Sequence, residues 1–202
     1  MKDFGFYLVI TNPVVGYARC AEAAVRAGVK IVQLRMKHAA REDILREARE
    51  MRRVTQGTET LFIVNDDPAL AAEAEADGVH VGQDDMSPAE VRAKFPQLKV
   101  VGLSTHNLDQ VRASWDQPID YIGVGPVYAT PTKDIPDPTL GPEMAGRMIA
   151  AARVPAVAIG GINAETLPPV LAAGARNFAV VRAVCQSQDP YSAICKLLEI
   201  HA

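Results

Sequence analysis

The sequence predicts a single α/β domain, a (β/α)8 TIM barrel spanning residues 1–202. Three observations carry this reading. Eight short apolar runs rich in Val and Ile recur along the chain. They do not alternate polar with apolar residues, as expected of parallel strands covered on both faces. Helical stretches separate them at roughly 25 residues per unit, the pattern of a barrel at the small end of its size range.

The runs are FYLVIT (6–11), KIVQLR (30–35), LFIVN (61–65), GVHV (78–81), KVVGLS (99–104), DYIGVG (120–125), AVAIG (156–160) and NFAVV (177–181). Between the second and third, REDILREAREMRRV places Ile44, Leu45, Ala48 and Met51 on one helical face. Gly28 and Gly174 suit helix C-terminal exits. Asp67-Pro68 and Asp189-Pro190 each set a cap before a first-turn proline. Ser87-Pro88-Ala89-Glu90 reads as a capping box. Pro168-Pro169 conflicts with an unbroken helix in INAETLPPVLAAG, which should restart or kink there. No linker or low-complexity stretch divides the chain. An open doubly wound sheet is the alternative, and the lack of a GxGxxG after the first run argues against it.

Composition narrows the function. With 49% hydrophobic and 22% charged residues, the chain is that of an ordinary globular domain, not of a disordered or disulfide-stapled one. Its 21 Lys and Arg against 24 Asp and Glu leave a net charge of −3, which gives no overall pull on nucleic acid or an anionic membrane. Any anionic ligand must then be held by a local basic cluster. Cys20, Cys185 and Cys195 form no CxxC and suit a reducing compartment. The apolar run near the N-terminus is too short for a signal peptide, no run approaches a membrane span, and the cytoplasm is the expected location.

A barrel carries its chemistry just after the strands, and the polar residues hardest to explain by packing fall there. The second run ends in Gln33, Arg35 and Lys37, and the third in Asn65-Asp66-Asp67. After the fourth come Gln83, Asp84 and Asp85, and the fifth leads into Ser104-Thr105-His106-Asn107. The sixth opens a loop of 16 residues with four prolines (126–141), holding Thr130, Thr132 and Lys133. The seventh ends in Gly160-Gly161 and the eighth near Arg182.

Each element alone has a plainer explanation. Arg35 and Lys37 could pair with surface carboxylates, and Asp67 could only cap a helix. Asp84 or Asp85 could be solvated, His106 could be a structural histidine, and Gly160-Gly161 could be a tight turn. As a set they make better sense around phosphate. Asp66 and Asp85, from two loops, can hold a hard cation such as Mg²⁺ beside phosphate oxygens. Arg35, Lys37 and Lys133 supply positive charge. Backbone N–H groups at Gly160-Gly161 and after the eighth run can cradle a phosphate. A loop as long as 126–141 inside a compact domain is usually functional.

The motifs VQLRMK (32–37), VND (64–66), ADGVHVGQDDM (76–86), VGLSTHN (101–107), DYIGVGPVYATPTKD (120–134) and AIGGI (158–162) resemble those of thiamine-phosphate synthases, in order and over nearly the whole chain. The resemblance implies a TIM barrel. It also implies a transferase that joins 4-amino-5-hydroxymethyl-2-methylpyrimidine diphosphate to a thiazole phosphate. The products are thiamine phosphate and diphosphate, with CO₂ as well when the thiazole carries a carboxylate.

By the same resemblance Gln33 recognises the aminopyrimidine. Arg35, Lys37, Asn65, Ser104 and Lys133 hold the diphosphate, and Asp66 and Asp85 bind Mg²⁺. Thr130 and Thr132 contact the thiazole, with Gly161, Val181 and Arg182 at its phosphate. Arg35, Lys37, Ser104 and Lys133 carry the catalytic work. The partners implied are these small molecules, with no nucleic acid or membrane, and a homo-oligomer is possible.

Two positions depart from the family pattern. Arg182 stands where a small residue, often Ser, is usual; it could clamp the thiazole phosphate, turn outward to an acidic neighbour, or block the site. Met36 replaces a frequent acidic residue, and RMK occurs in related thiazole tautomerases, which generally lack the ND, GQxDM and TPTK sets together. The other readings are a tautomerase-like paralogue, a catalytically idle phosphate-binding barrel, and a sugar-phosphate isomerase using His106 with Asp66 or Asp85.

Overall fold

In a computed structural model, which describes residues 3–132 and 138–202, eight strands alternate with helices. The order is β1 (Phe6–Ile10), α1 (Tyr17–Arg26), β2 (Ile31–Leu34), α2 (Arg41–Thr55), β3 (Leu61–Asn65), α3 (Pro68–Glu73), β4 (Gly78–Val81) and α4 (Pro88–Lys94). Then come β5 (Val100–Thr105), α5 (Leu108–Ala113), β6 (Tyr121–Val124), α6 (Gly141–Ala151), β7 (Ala156–Ala158), α7 (Leu167–Ala172) and β8 (Asn177–Val180). A one-turn helix, α8 (Arg182–Cys185), and α9 (Pro190–His201) complete the chain. Each strand pairs in parallel with the next, and β8 closes on β1 through Phe6↔Phe178 to Leu8↔Val180. The expected barrel is observed.

Helix starts follow the local chemistry. The Asp67 carboxylate accepts from the Leu70 amide at 2.8 Å, and Ser87 and Glu90 form the reciprocal capping box. Asp189 caps α9 through the Ser192 amide. Pro168 and Pro169 fall in the first turn of α7, where proline removes no helical hydrogen bond, so the helix begins at them and is not broken. The α2 face is buried at Leu45, Ala48 and Met51.

Residue alternation divides the core. Phe6, Leu8, Ile10, Val32 and Leu34 belong to the layer between strands and helices. Tyr7, Val9, Ile31, Ile63, Tyr121, Val157 and Ala179 fill the lumen. β3 and β4 match their apolar runs, β5 is shifted by one residue, and the other strands are shorter than their runs by a residue or two. β7 stops at Ala158 because the following Gly160 and Gly161 take positive φ and turn the chain. The three cysteines are free thiols. Among the described residues no helix is long and apolar enough to cross a membrane.

Candidate active site

A cavity of about 770 Å³ opens at the C-terminal ends of the strands. Its lining draws on nearly every strand end. Of the residues singled out from sequence, Gln33, Arg35, Asn65, Ser104, Thr130, Thr132, Gly161, Val181 and Arg182 line it. Lys133 lies outside the described residues.

Lys37, Asp66 and Asp85 form a charged cluster of their own. The Lys37 ammonium pairs with the Asp66 carboxylate. The Asp66 and Asp85 carboxyl groups lie within hydrogen-bonding reach of each other. Asp66 holds φ at 64°, a left-handed conformation that Asp tolerates better than most residues, and its amide bonds to the His80 carbonyl at 2.8 Å. Asp85 accepts from the Gly82 amide at 2.7 Å. Its carboxyl is held above the ordinary range, first by partial desolvation and then by the charge of Asp66, against the lowering effect of the Gly82 amide. Two carboxylates brought this close repel unless a cation or proton intervenes. Among the described residues no third His, Cys, Asp or Glu joins them to form a metal-ligating group. Such a pair fits a cation that takes one or two carboxylates and completes its shell with water and ligand phosphate, as Mg²⁺ does.

Below the cavity mouth a chain of hydrogen bonds crosses the lumen. The Gln33 amide nitrogen donates to the Tyr7 hydroxyl at 2.7 Å, and the Tyr7 and Tyr121 hydroxyls are 2.9 Å apart. The Tyr121 hydroxyl meets His80 Nδ1 at 3.0 Å, and His80 Nε2 meets Ser104 Oγ at 2.9 Å. Burial pushes the ionisation of both tyrosines well up, so each keeps its hydroxyl hydrogen. The neighbouring strand makes room for the rings. A Cβ at Gly102 would sit 2.2 Å from Tyr121 Cζ and 2.5 Å from His80 Nδ1.

On the opposite side, Gly160 and Gly161 have φ of 106° and 65°. A side chain at Gly160 would meet Pro126 at 2.6 Å, and one at Gly161 would meet Tyr128 at 2.7 Å. Both positions therefore need glycine on conformational and steric grounds. The Gly161 and Arg182 amides have no carbonyl partner among the described residues. The Arg182 side chain is exposed, lines the cavity, and makes no ion pair among the described residues. Arg35 also lines the cavity without such a pair. Thr130 and Thr132 join their hydroxyls at 2.9 Å over the cavity.

His106 bonds to the Gly125 carbonyl through Nδ1 at 2.7 Å while also lining the cavity. Asp67 is the helix cap its position suggested. Sequence reasoning missed Tyr7, His80 and Tyr121. The available signal was a polar-tipped ring in the middle of an apolar run, beside runs with glycine at Gly102 and Gly123.

Comparison with known proteins agrees with this geometry. The family model described as thiamine monophosphate synthase matches residues 6–184. A thiamine-phosphate synthase from Synechococcus sp. (strain WH7803) is 45% identical over 179 residues, covering 89% of this chain and 50% of that protein. One from Caldicellulosiruptor bescii is 39% identical over 174 residues, covering 86% of this chain and 80% of that protein. The chain thus spans about half the length of several relatives it matches. Among solved structures, the thiamine phosphate pyrophosphorylase from Pyrococcus furiosus superposes with a TM-score of 0.88 at 27% identity, covering 98% of this chain and 96% of that one. A 3-hexulose-6-phosphate synthase, at 19% identity and a TM-score of 0.71, shares the fold alone. With the family model spanning residues 6–184, and both relatives covering more than four fifths of this chain, the chain belongs to the thiamine monophosphate synthase family.

Proposed function

We propose that the chain joins 4-amino-5-hydroxymethyl-2-methylpyrimidine diphosphate to a thiazole phosphate, giving thiamine phosphate and diphosphate. The observation that supports this best is the Asp66–Asp85 pair with Lys37, set at the edge of a cavity that also presents Arg35 and Ser104. That arrangement suits a diphosphate accompanied by a metal ion. Bound Mg²⁺ would neutralise charge on the diphosphate as it leaves.

The chain's own residues supply the rest. Gln33, nearly buried beneath the cavity, suits the aminopyrimidine ring. Arg35, Lys37, Asn65 and Ser104 suit the diphosphate oxygens, where their positive charge and donors oppose the negative charge that grows as the bond breaks. The pyrimidine-methyl carbon loses its oxygen with the bonding pair, and the diphosphate carries that pair away. The electron-rich aminopyrimidine stabilises the resulting cation. The thiazole nitrogen then attacks with its lone pair, so the reaction requires neither a nucleophilic side chain nor a general base. Thr130 and Thr132 face the thiazole, and Gly161, Val181 and Arg182 take its phosphate in this reading. We assign Arg182 as a phosphate clamp, supported by its place on the cavity wall without an acidic partner among the described residues.

The test is incubation of the protein with both substrates and Mg²⁺, followed by chromatographic detection of thiamine phosphate. Formation of the product supports the reading. Substrate binding without product would leave a phosphate-binding barrel and overturn it.

A further inference from the structure

The hydrogen-bond chain across the lumen can be followed proton by proton. The Gln33 amide nitrogen has hydrogens and no lone pair to offer, so Tyr7 accepts from it. The Tyr7 hydrogen then has one partner, the Tyr121 oxygen. The Tyr121 hydroxyl, already accepting, passes its own hydrogen to His80 Nδ1. A neutral His80 therefore carries its proton on Nε2 and donates it to Ser104 Oγ. Ser104 is left with a hydroxyl hydrogen to direct into the cavity it lines. At the other end, no buried side-chain oxygen lacks a partner among the described residues, and Gln33 Oε1 has none there, so that oxygen opens on the cavity.

We propose that Gln33, Tyr7, Tyr121, His80 and Ser104 form a one-way relay. It offers a ligand an acceptor at Gln33 Oε1 and a donor at Ser104 Oγ, and it couples recognition at the two ends. The direction is all-or-none. Turning over the Gln33 amide would make Tyr7 its donor, reverse each following bond, move the His80 proton to Nδ1 and leave Ser104 an acceptor, which an anion repels. A ring amino group at Gln33 and an anion at Ser104 thus select the same state of five side chains. Tyr7, Tyr121 and His80 are positioning residues, and the close approach allowed by Gly102 keeps their rings in register.

The ligand's identity rests on the pyrimidine diphosphate reading; the direction of the relay does not, so it is tested on the ligand-free protein. Histidine labelled with ¹⁵N, observed by two-bond ¹H–¹⁵N correlation in mildly alkaline buffer, reports the tautomer of each ring. His80 is expected as the neutral Nε2–H form, and Tyr121→Phe, which removes the donor to Nδ1, is expected to populate both tautomers. A His80 proton on Nδ1, or a mixture in the wild type, overturns the proposal. Coupling is then read from affinity for the pyrimidine diphosphate with and without its ring amino group, in wild type and Ser104→Ala. Each loss alone should weaken binding on the order of tenfold. Both together should fall well under the roughly hundredfold of independent losses, and Tyr121→Phe should restore additivity. Additive losses in the wild type overturn the coupling, and absence of any pyrimidine binding overturns the function proposed above while the tautomer still decides the direction.

Discussion

Asp66 combines a backbone demand with a chemical one. Its left-handed φ of 64° is one that Asn tolerates nearly as well, whereas Ala would be strained there. Asp66→Asn therefore removes the charge while sparing the turn. Asp66→Asn or Asp85→Asn should lower turnover by on the order of 10²-fold or more, the scale of losing one transition-state stabilising group. Neither should shift the melting temperature much, which steady-state kinetics and a thermal scan will check together. Arg182→Ser should weaken thiazole phosphate binding by about 1.5–3 kcal/mol, the value of a charge-assisted hydrogen bond. Calorimetric titration of both proteins decides it, and unchanged or tighter binding removes the clamp. At this scale the charged residues were legible because Asp, Lys and Arg after an apolar run have no packing reason to be there. His80 was not, since GVHV reads as an ordinary strand until the hydroxyls of Tyr7 and Tyr121 are placed beside it.

The elements divide into two ends with different duties. At the rim, the segment after β6 and the Gly160-Gly161 turn after β7 approach so closely that neither glycine admits a side chain. At the base, Asp120 just before β6 accepts from the Val101 amide at 2.7 Å and from Arg92 at 2.6 Å. Asp77 repeats the device before β4, accepting from the Phe62 amide and Arg52. These carboxylates tie each strand's start to its neighbour, far from the cavity. Asp120→Ala should thus destabilise the fold by about 1–3 kcal/mol, through an amide and a guanidinium left without their acceptor, with kcat unchanged at permissive temperature. Denaturant titration alongside kinetics will show it; an equal loss of kcat would contradict the division. Caps were legible at this scale because Asp-Pro and Ser-x-x-Glu act within one turn. Strand ends were not, because β7 is terminated by glycine conformations imposed by the β6 loop, a contact between segments more than 30 residues apart.

For the whole molecule, the order of strands follows from parallel pairing of sequence neighbours, so the closed barrel was legible from eight apolar runs and their spacing. The lumen was less so. Its alternation of large and absent side chains, Tyr121 against Gly102, emerges only when the register Gly102↔Tyr121 is known. If the rim holds diphosphate through metal and basic side chains jointly, inorganic diphosphate with Mg²⁺ should raise the melting temperature more than either alone. Saturation at about 100 times the dissociation constant stabilises by roughly 2.7 kcal/mol. Equal shifts with and without Mg²⁺ would separate the acidic pair from the anion site.

In the proposed reaction diphosphate leaves the pyrimidine at this rim and the thiazole nitrogen takes its place. Measuring diphosphate release and thiamine phosphate formation in the same reaction, with Mg²⁺ removed by chelation and then restored, tests it most directly. Equal amounts of the two products are expected, with loss of both on chelation and recovery of both on adding Mg²⁺. Diphosphate released without thiamine phosphate, or full activity in the chelated protein, would contradict it.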